Sequence, residues 1–361
     1  LPSVFLLGSG GAAVLEAERN DDERRLFYVA ITRAARAVKI TYARATEAGR
    51  EQLPSLFIAE LKPELRRDEA TAAAEKLFRR QSRLATGDLS TQPRVGKNQS
   101  EFVERLFTAR GFSVTGLNNY LACPWRYFYR NLLRLPEALS KHQRYGVAVH
   151  AALRDFFKRR NEEPVTVTNL LQNFEYYLQR QGLKPTDYQE VRRRGRLSLS
   201  GWYRASVSSW PAVTLTEFNI KGILLTPQIR LTGVIDKLEF VDGDNQVKVV
   251  DYKTRSPLGR RELEGKTRGS SGDYLRQLVF YKLLLDRYES GRYRMTTGEL
   301  DFIEPDPRGR YRRELFVISA ADVSVLEQLI KRVGAEILAL DFWDKRCGDH
   351  HCRYCELRGV I

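Results

Sequence analysis

Apolar and polar residues alternate with different periods in different parts of this chain. Over residues 21–36, Leu26, Val29, Ala30 and Arg33 recur at helical spacing behind Asp21 and Asp22, which can cap a helix. Val38-Lys39-Ile40-Thr41-Tyr42 alternates with period two and predicts a strand. Helical spacing returns at about 54–64 and 68–82. From Leu84 to Ser100 neither period survives, and Gly87, Pro93 and Gly96 among Ser, Thr, Asn and Gln read as a linker. Beyond it the pattern predicts helices near 115–134, 144–160, 166–182 and 185–206, then a β-rich stretch from Val213 to Lys253. A helix near 273–288, short strands near 298–304 and 312–318, and a long helix over 320–342 follow, the last with Val323, Leu326, Ile330, Val333 and Ile337 on one face. No stretch repeats at a fixed period. The pattern predicts a mixed α/β body with its sheet in the middle.

Composition narrows the function. Among 361 residues, 60 Lys and Arg face 45 Asp and Glu, a formal net charge of +15. That balance favours an anionic partner, most simply nucleic acid, although a solvated basic face gives the same count. A hydrophobic fraction of 42% with 17 Phe, 17 Tyr and 4 Trp excludes wholesale disorder. No run approaches the ~18–20 apolar residues of a membrane span. The opening Leu1-Pro2-Ser3-Val4-Phe5-Leu6-Leu7 is too short for a secretory core and has no basic residues before it. Without an initiator Met it reads as a piece of a longer chain. Four cysteines are too few for a disulfide scaffold, and three of them crowd between Cys347 and Cys355 as metal ligands do. A reducing, intracellular setting follows.

The chemistry concentrates on a pair of strands. Leu231-Thr232-Gly233-Val234-Ile235-Asp236-Lys237-Leu238 and Val247-Lys248-Val249-Val250-Asp251-Tyr252-Lys253-Thr254 flank Asp242-Gly243-Asp244-Asn245, a hairpin signal. Asp251 and Lys253 are two apart, so both side chains leave one face of their strand. With Asp236 on the neighbouring strand, two carboxylates and a lysine converge at one end of the sheet. Two carboxylates can hold Mg²⁺ or Mn²⁺ through hard oxygen ligands, and a lysine can orient water or stabilise growing negative charge on phosphate. The tripeptide alone is also what a surface hairpin with an Asp–Lys pair looks like.

The context of that tripeptide resembles the RecB-like branch of the PD-(D/E)XK nucleases. Gly233-Val234-Ile235-Asp236 resembles the G-x-x-D motif, and Asp251-Tyr252-Lys253-Thr254 the D-Y-K-T form of the (D/E)-x-K motif. Tyr145-Gly146-Val147-Ala148-Val149-His150 resembles the helix that carries a glycine and then a histidine. Gln277-Leu278-Val279-Phe280-Tyr281 resembles the Q-x-x-x-Y helix, whose spacing sets both polar side chains on one face. The resemblance, which covers about 115 to the end, implies a restriction-endonuclease-like central mixed sheet flanked by helices. It implies His150, Asp236 and Asp251 as ligands of Mg²⁺ or Mn²⁺, Lys253 as the residue assisting the attacking water, and Gln277 and Tyr281 as its support. A lone histidine on an apolar helix is more often a packed core residue, so His150 rests on its neighbours in the motif set.

Cys123, in Cys123-Pro124-Trp125-Arg126-Tyr127, precedes the nuclease core, and Cys347, Cys352 and Cys355 follow it. This arrangement resembles the [4Fe–4S] staple of AddB-like nucleases. Where that family continues C-x2-C-x5-C, position 361 is Ile, so either Cys347 supplies the fourth thiolate or the cluster is labile or absent. His350 and His351 beside a C-x2-C pair keep a zinc site open as the alternative. The aromatic and basic run from Trp125 to Arg130 suits either DNA contact or helix packing.

Glu23-Arg24-Arg25-Leu26-Phe27-Tyr28-Val29-Ala30-Ile31-Thr32-Arg33-Ala34 resembles motif VI of UvrD-like superfamily 1 helicases, and Arg33 matches the arginine that reaches ATP there. Gly259 to Thr267 reads G-x5-G-K-T, one residue too many for a phosphate loop, in a polar stretch with no strand leading in. No ATPase activity is therefore expected from this chain alone. The expected organisation is a helicase motor-domain remnant over 1–65, a helical segment and linker over 66–110, and the nuclease domain over 111–361. The resemblances imply a bacterial, cytoplasmic helicase–nuclease that acts on single-stranded DNA or duplex ends in double-strand-break repair and recombination, as an exonuclease. Its partners would be DNA, the rest of the motor and a partner helicase–nuclease subunit, with no membrane. The rival expectation is a non-catalytic DNA-binding or scanning module.

Overall fold

The structure, a computed structural model, describes residues 97–358 apart from 136, 138 and 244, together with scattered positions between 24 and 76. Backbone contacts divide the chain into two units, Leu1–Thr91 and Gln92–Ile361. In the first unit, of the described residues in the stretch predicted as helix, 24, 27–29, 31 and 32 are helical and Ala34 is not. Arg24 Nε lies 2.6 Å from Glu60 Oε2, and its guanidinium sits over the Phe57 ring. Arg33 lies outside the described residues. The strand expected at 38–42 does not form: residues 38–41 have no ladder, with Val38 and Ile40 exposed, and Tyr42 lies outside the described residues. An alternating pattern needs a neighbouring edge to pair with, and among the described residues none is there. The helix expected at 54–64 contracts to Leu56–Ala59 and a tight turn at Pro63–Leu65, where Pro63 lacks an amide proton.

The second unit opens with α1 (Lys97–Arg110), so the linker pattern ends four residues earlier than its composition suggests. The single helix expected over 115–134 is two: α2 (Val114–Ala122) and α3 (Pro124–Tyr127), the latter continuing into one wide turn at Phe128–Leu132. Pro124 cannot accept a place inside a helix but is suited to its first position, so Cys123 becomes extended between them. Next come α4 (Lys141–Arg160), capped by Ser140 and Gln143 reciprocally, α5 (Val167–Gln179) and α6 (Pro185–Ser206). The β-rich stretch is β1 (Thr214–Leu224), β2 (Arg230–Asp242) and β3 (Gln246–Lys253). A short α7 (Arg260–Leu263) and α8 (Asp273–Arg287) lead to β4 (Arg294–Phe302) and β5 (Arg313–Phe316). The chain closes with α9 (Ala320–Leu338) and α10 (Arg353–Leu357). The α9 helix buries the five predicted apolar residues but stops short of 342, because Leu340 adopts a left-handed conformation (φ 57°).

The five strands lie in the order β1-β2-β3-β4-β5. All neighbours are antiparallel except β3 and β4, which run parallel and need the α7–α8 crossover. One face is covered by α1, α2, α8 and α9 and the other by α4, α5 and α6, giving two apolar cores. Two glycines let α8 settle on the sheet. A Cβ at Gly233 would stand 2.7 Å from Leu284 Cδ1, and one at Gly298 2.8 Å from Met295 Cε and 3.0 Å from Leu278 Cδ1. Beneath α4 and α6 the sheet also buries a charge lattice. Lys237 Nζ is 2.7 Å from Glu239 and 4.0 Å above the Phe157 ring, while Trp202 Nε1 donates to Asp301 Oδ1 at 2.9 Å. Among the described residues no helix is long and apolar enough to cross a membrane.

Candidate active site

The β2–β3 register sets the chemistry. The ladder runs from the hairpin to Lys237↔Val250, which brings Asp236 opposite Asp251 where the pairing stops. There the Asp236 carboxylate takes over from the ladder, accepting the Tyr252 amide at 2.9 Å through Oδ2. Its other oxygen is 3.3 Å from His150 Nδ1, delivered by the middle of α4. On β3, Asp251 Oδ2 lies 2.6 Å from Lys253 Nζ. Lys253 Nζ donates to Gln277 Oε1 at 2.7 Å, Gln277 Nε2 donates to Tyr281 Oη at 2.7 Å, and Tyr281 donates to Asp251 Oδ1 at 3.3 Å. The ring of contacts Asp251–Lys253–Gln277–Tyr281 thus closes on itself, and the helical i, i+4 spacing of Gln277 and Tyr281 makes the closure possible.

Every residue expected at the site from sequence, the cysteines and Arg33 aside, is therefore brought together. His150, Asp236, Asp251, Lys253 and Gln277 line a cavity of about 330 Å³ with Tyr252, Thr254, Arg255 and Tyr274. Tyr281 stands behind it, buried against Asp251. Sequence reasoning missed Tyr274 and Arg255. Tyr274 has a legible signal: it sits three residues before Gln277, on the same stripe of α8.

Electrostatics separates the two carboxylates. Burial pushes both upward, but for Asp236 the His150 ring, the Tyr252 amide and Lys253 outweigh it and hold the carboxyl below its ordinary range. Asp251 is raised: burial dominates, Asp236 adds like charge, and Lys253 only partly compensates. For His150 burial opposes protonation, yet the Asp236 charge prevails and raises its pKa. Asp251 Oδ2 is buried and, although close to Lys253, receives no aligned hydrogen bond. A buried carboxylate oxygen with spare lone pairs, next to a second carboxylate and an imidazole, is a donor set that fits a hard divalent cation. Bound there, such a cation supplies polarisation of a phosphodiester and acidification of a bound water.

The four cysteines form a second centre. Cys123, Cys347, Cys352 and Cys355 present sulfurs that all lie within 4.8 Å of one another. The Cys123–Cys355, Cys123–Cys352 and Cys347–Cys355 Sγ pairs are each 3.6 Å apart. Four thiolates at this separation can hold a metal centre, iron–sulfur or zinc. Around one tetrahedral ion with ~2.3 Å bonds, thiolates stand about 3.8 Å apart, close to these spacings. A four-iron cube would require them to move outward. The aromatic run nearby turns out to be core: Trp125, Tyr127, Phe128 and Tyr129 are buried, Trp125 among Phe342 and Trp343. The two arginines of the run are half-buried as well, and Arg130 pairs with Glu137 at 3.1 Å.

A mixed sheet flanked by helices, with two acidic residues and a lysine at the frayed end of a central hairpin, defines a phosphodiester-cleaving class of protein. The match with known families agrees: the description "PD-(D/E)XK nuclease superfamily" fits residues 111–360, and the chain belongs to that superfamily. A proposed exonuclease from Eubacterium rectale is similar in fold over 73% of this chain and 93% of its own, at 8% identity and a TM-score of 0.42. The protein SSO0001 matches over 73% of this chain and 95% of its own, at 12% identity and a TM-score of 0.27. No curated protein matches the chain.

Proposed function

We propose that this chain is a Mg²⁺- or Mn²⁺-dependent DNA nuclease, with Asp236, Asp251 and His150 as metal ligands and Lys253 as the residue that orients the attacking water. The observation that carries the reading is the closed contact ring around Lys253 beside the unsaturated Asp251 carboxylate. A lysine held by Asp251 and Gln277 keeps its ammonium where negative charge grows during hydrolysis, without reorganisation at the moment of reaction. Gln277 and Tyr281 position it, since both touch it directly or through one hydrogen bond. The net charge of +15 suits a polyanionic substrate.

The likeness of residues 23–34 to helicase motif VI supports a wider setting, the nuclease end of a bacterial helicase–nuclease for end resection and break repair. In that setting the motor feeds strands to the site, and exonuclease action follows from feeding by ends. Purified chain is incubated with end-labelled linear DNA and Mg²⁺ or Mn²⁺, beside Asp251→Ala and Lys253→Ala. The expected result is cleavage by the parent and a loss of roughly a thousandfold in both variants, with DNA binding retained. A folded, metal-loaded parent that binds DNA and never cuts it refutes the nuclease and leaves the scanning module.

A further inference from the structure

Two residues outside the motifs, Arg255 and Tyr274, also line the cleft that holds the carboxylates. Arg255 lies two positions after Lys253, exposed at the rim, and among the described residues no carboxylate pairs with it. Its guanidinium is nevertheless held: Nη1 donates to Tyr274 Oη at 3.2 Å. Tyr274 comes from the first turn of α8, one turn before Gln277, and its ring faces Lys253 Nζ at 4.8 Å. One side chain thus touches both cations of the site.

This chain is rich in arginine–carboxylate pairs on its surface, such as Arg310–Asp306 and Arg292–Glu289. An arginine fixed by a neutral hydroxyl keeps its full charge and most of its donors free, in a planar fork suited to phosphate oxygens. Fixing it before the ligand arrives removes part of the entropy cost of binding. The cleft then carries two cations, Lys253 and Arg255, beside the carboxylates Asp236 and Asp251.

We propose that Arg255 binds the backbone phosphate adjacent to the scissile one, and that Tyr274 is the positioning residue that sets Arg255 and Lys253 relative to each other. The inference rests on the nuclease reading for what the phosphate is adjacent to, but not for the phosphate contact itself. Contact with backbone alone predicts no base preference at this position.

The test uses the full chain and a fluorescent single-stranded oligonucleotide, titrated over a range of KCl without divalent metal, and cleavage kinetics with Mg²⁺. Arg255→Ala is expected to weaken binding roughly tenfold, equally on unrelated sequences. It should also lower the slope of log K against log salt by about 0.7, the contribution of one phosphate contact. Tyr274→Phe keeps the ring over Lys253 and frees Arg255, so KM rises a few-fold while kcat falls less than in Tyr274→Leu. Tyr274→Leu removes the ring as well, and kcat falls by about tenfold or more. An unchanged salt slope in Arg255→Ala overturns the phosphate site. A Tyr274→Leu variant with the parent's kcat overturns the positioning role. If the parent never cleaves yet Arg255→Ala still lowers the slope, the phosphate site stands and the nuclease reading falls.

Discussion

Asp251 and Asp301 sit one register step apart on neighbouring parallel strands, Asp251↔Leu300 and Tyr252↔Asp301, and show how position decides what a carboxylate does. Asp251 faces the cleft with Lys253, whereas Asp301 is sealed in the opposite core, where burial raises its pKa to about 6 against the pull of Arg313. A proton held more tightly in the folded than in the unfolded chain stabilises fully below the ordinary carboxyl range, and that stabilisation is lost as pH rises through 6. Asp301→Asn, which still accepts from Trp202, should therefore match the parent near pH 4 and exceed it at pH 7 by up to about 3 kcal/mol. Thermal unfolding at the two pH values checks this, and a variant weaker at both would refute it. The candidate residues Asp236, Asp251, Lys253, Gln277 and Tyr281 were legible in the sequence through the motifs they share with the resembled nucleases, and spacing of two on a strand and four on a helix agrees with their sharing a face. Asp301 was not, since nothing local distinguishes a buried acid from an exposed one. Neither was Arg255, whose part depends on a hydroxyl nineteen positions away.

Among elements, α8 does most to shape the site, carrying Tyr274, Gln277 and Tyr281 on one stripe. Its closeness to the sheet depends on Gly233, the glycine of the G-x-x-D pattern, because Leu284 occupies the space a Cβ needs. Gly233→Ala should lift α8, costing about 1–3 kcal/mol from overpacking and lowering kcat through misplaced Gln277 and Tyr281. A denaturant midpoint and steady-state kinetics measure the two effects; a fall in stability with unchanged kcat would separate α8 from the chemistry. Helix and strand positions followed the apolar period closely wherever a sheet or helix neighbour existed to receive the apolar face. The strand expected at 38–42 failed for want of such a neighbour among the described residues. The helix expected over 115–134 broke because a proline outweighed periodicity.

Across the whole second unit, the cysteine centre ties Cys123, before the sheet in sequence, to Cys352 and Cys355 after it. A metal there closes a loop of more than two hundred residues, so its loss removes a constraint on the unfolded chain as well as bonds in the folded one. Cys352→Ser, or chelation, should cost on the order of 5 kcal/mol and abolish the bound metal. Calorimetry with elemental analysis checks both, and one zinc or four irons per chain decides between the two centres. What the sequence determined by itself was the order and type of most elements, because those depend on periods a few residues long, and short motifs also marked the candidate site residues. Only the tertiary structure decided that the β2–β3 ladder ends just before Asp236 and Asp251, that Asp251 Oδ2 receives no aligned hydrogen bond, and that Tyr274 holds Arg255 beside Lys253. Those facts depend on residues far apart in sequence, which are neighbours only once two cores have closed on the sheet.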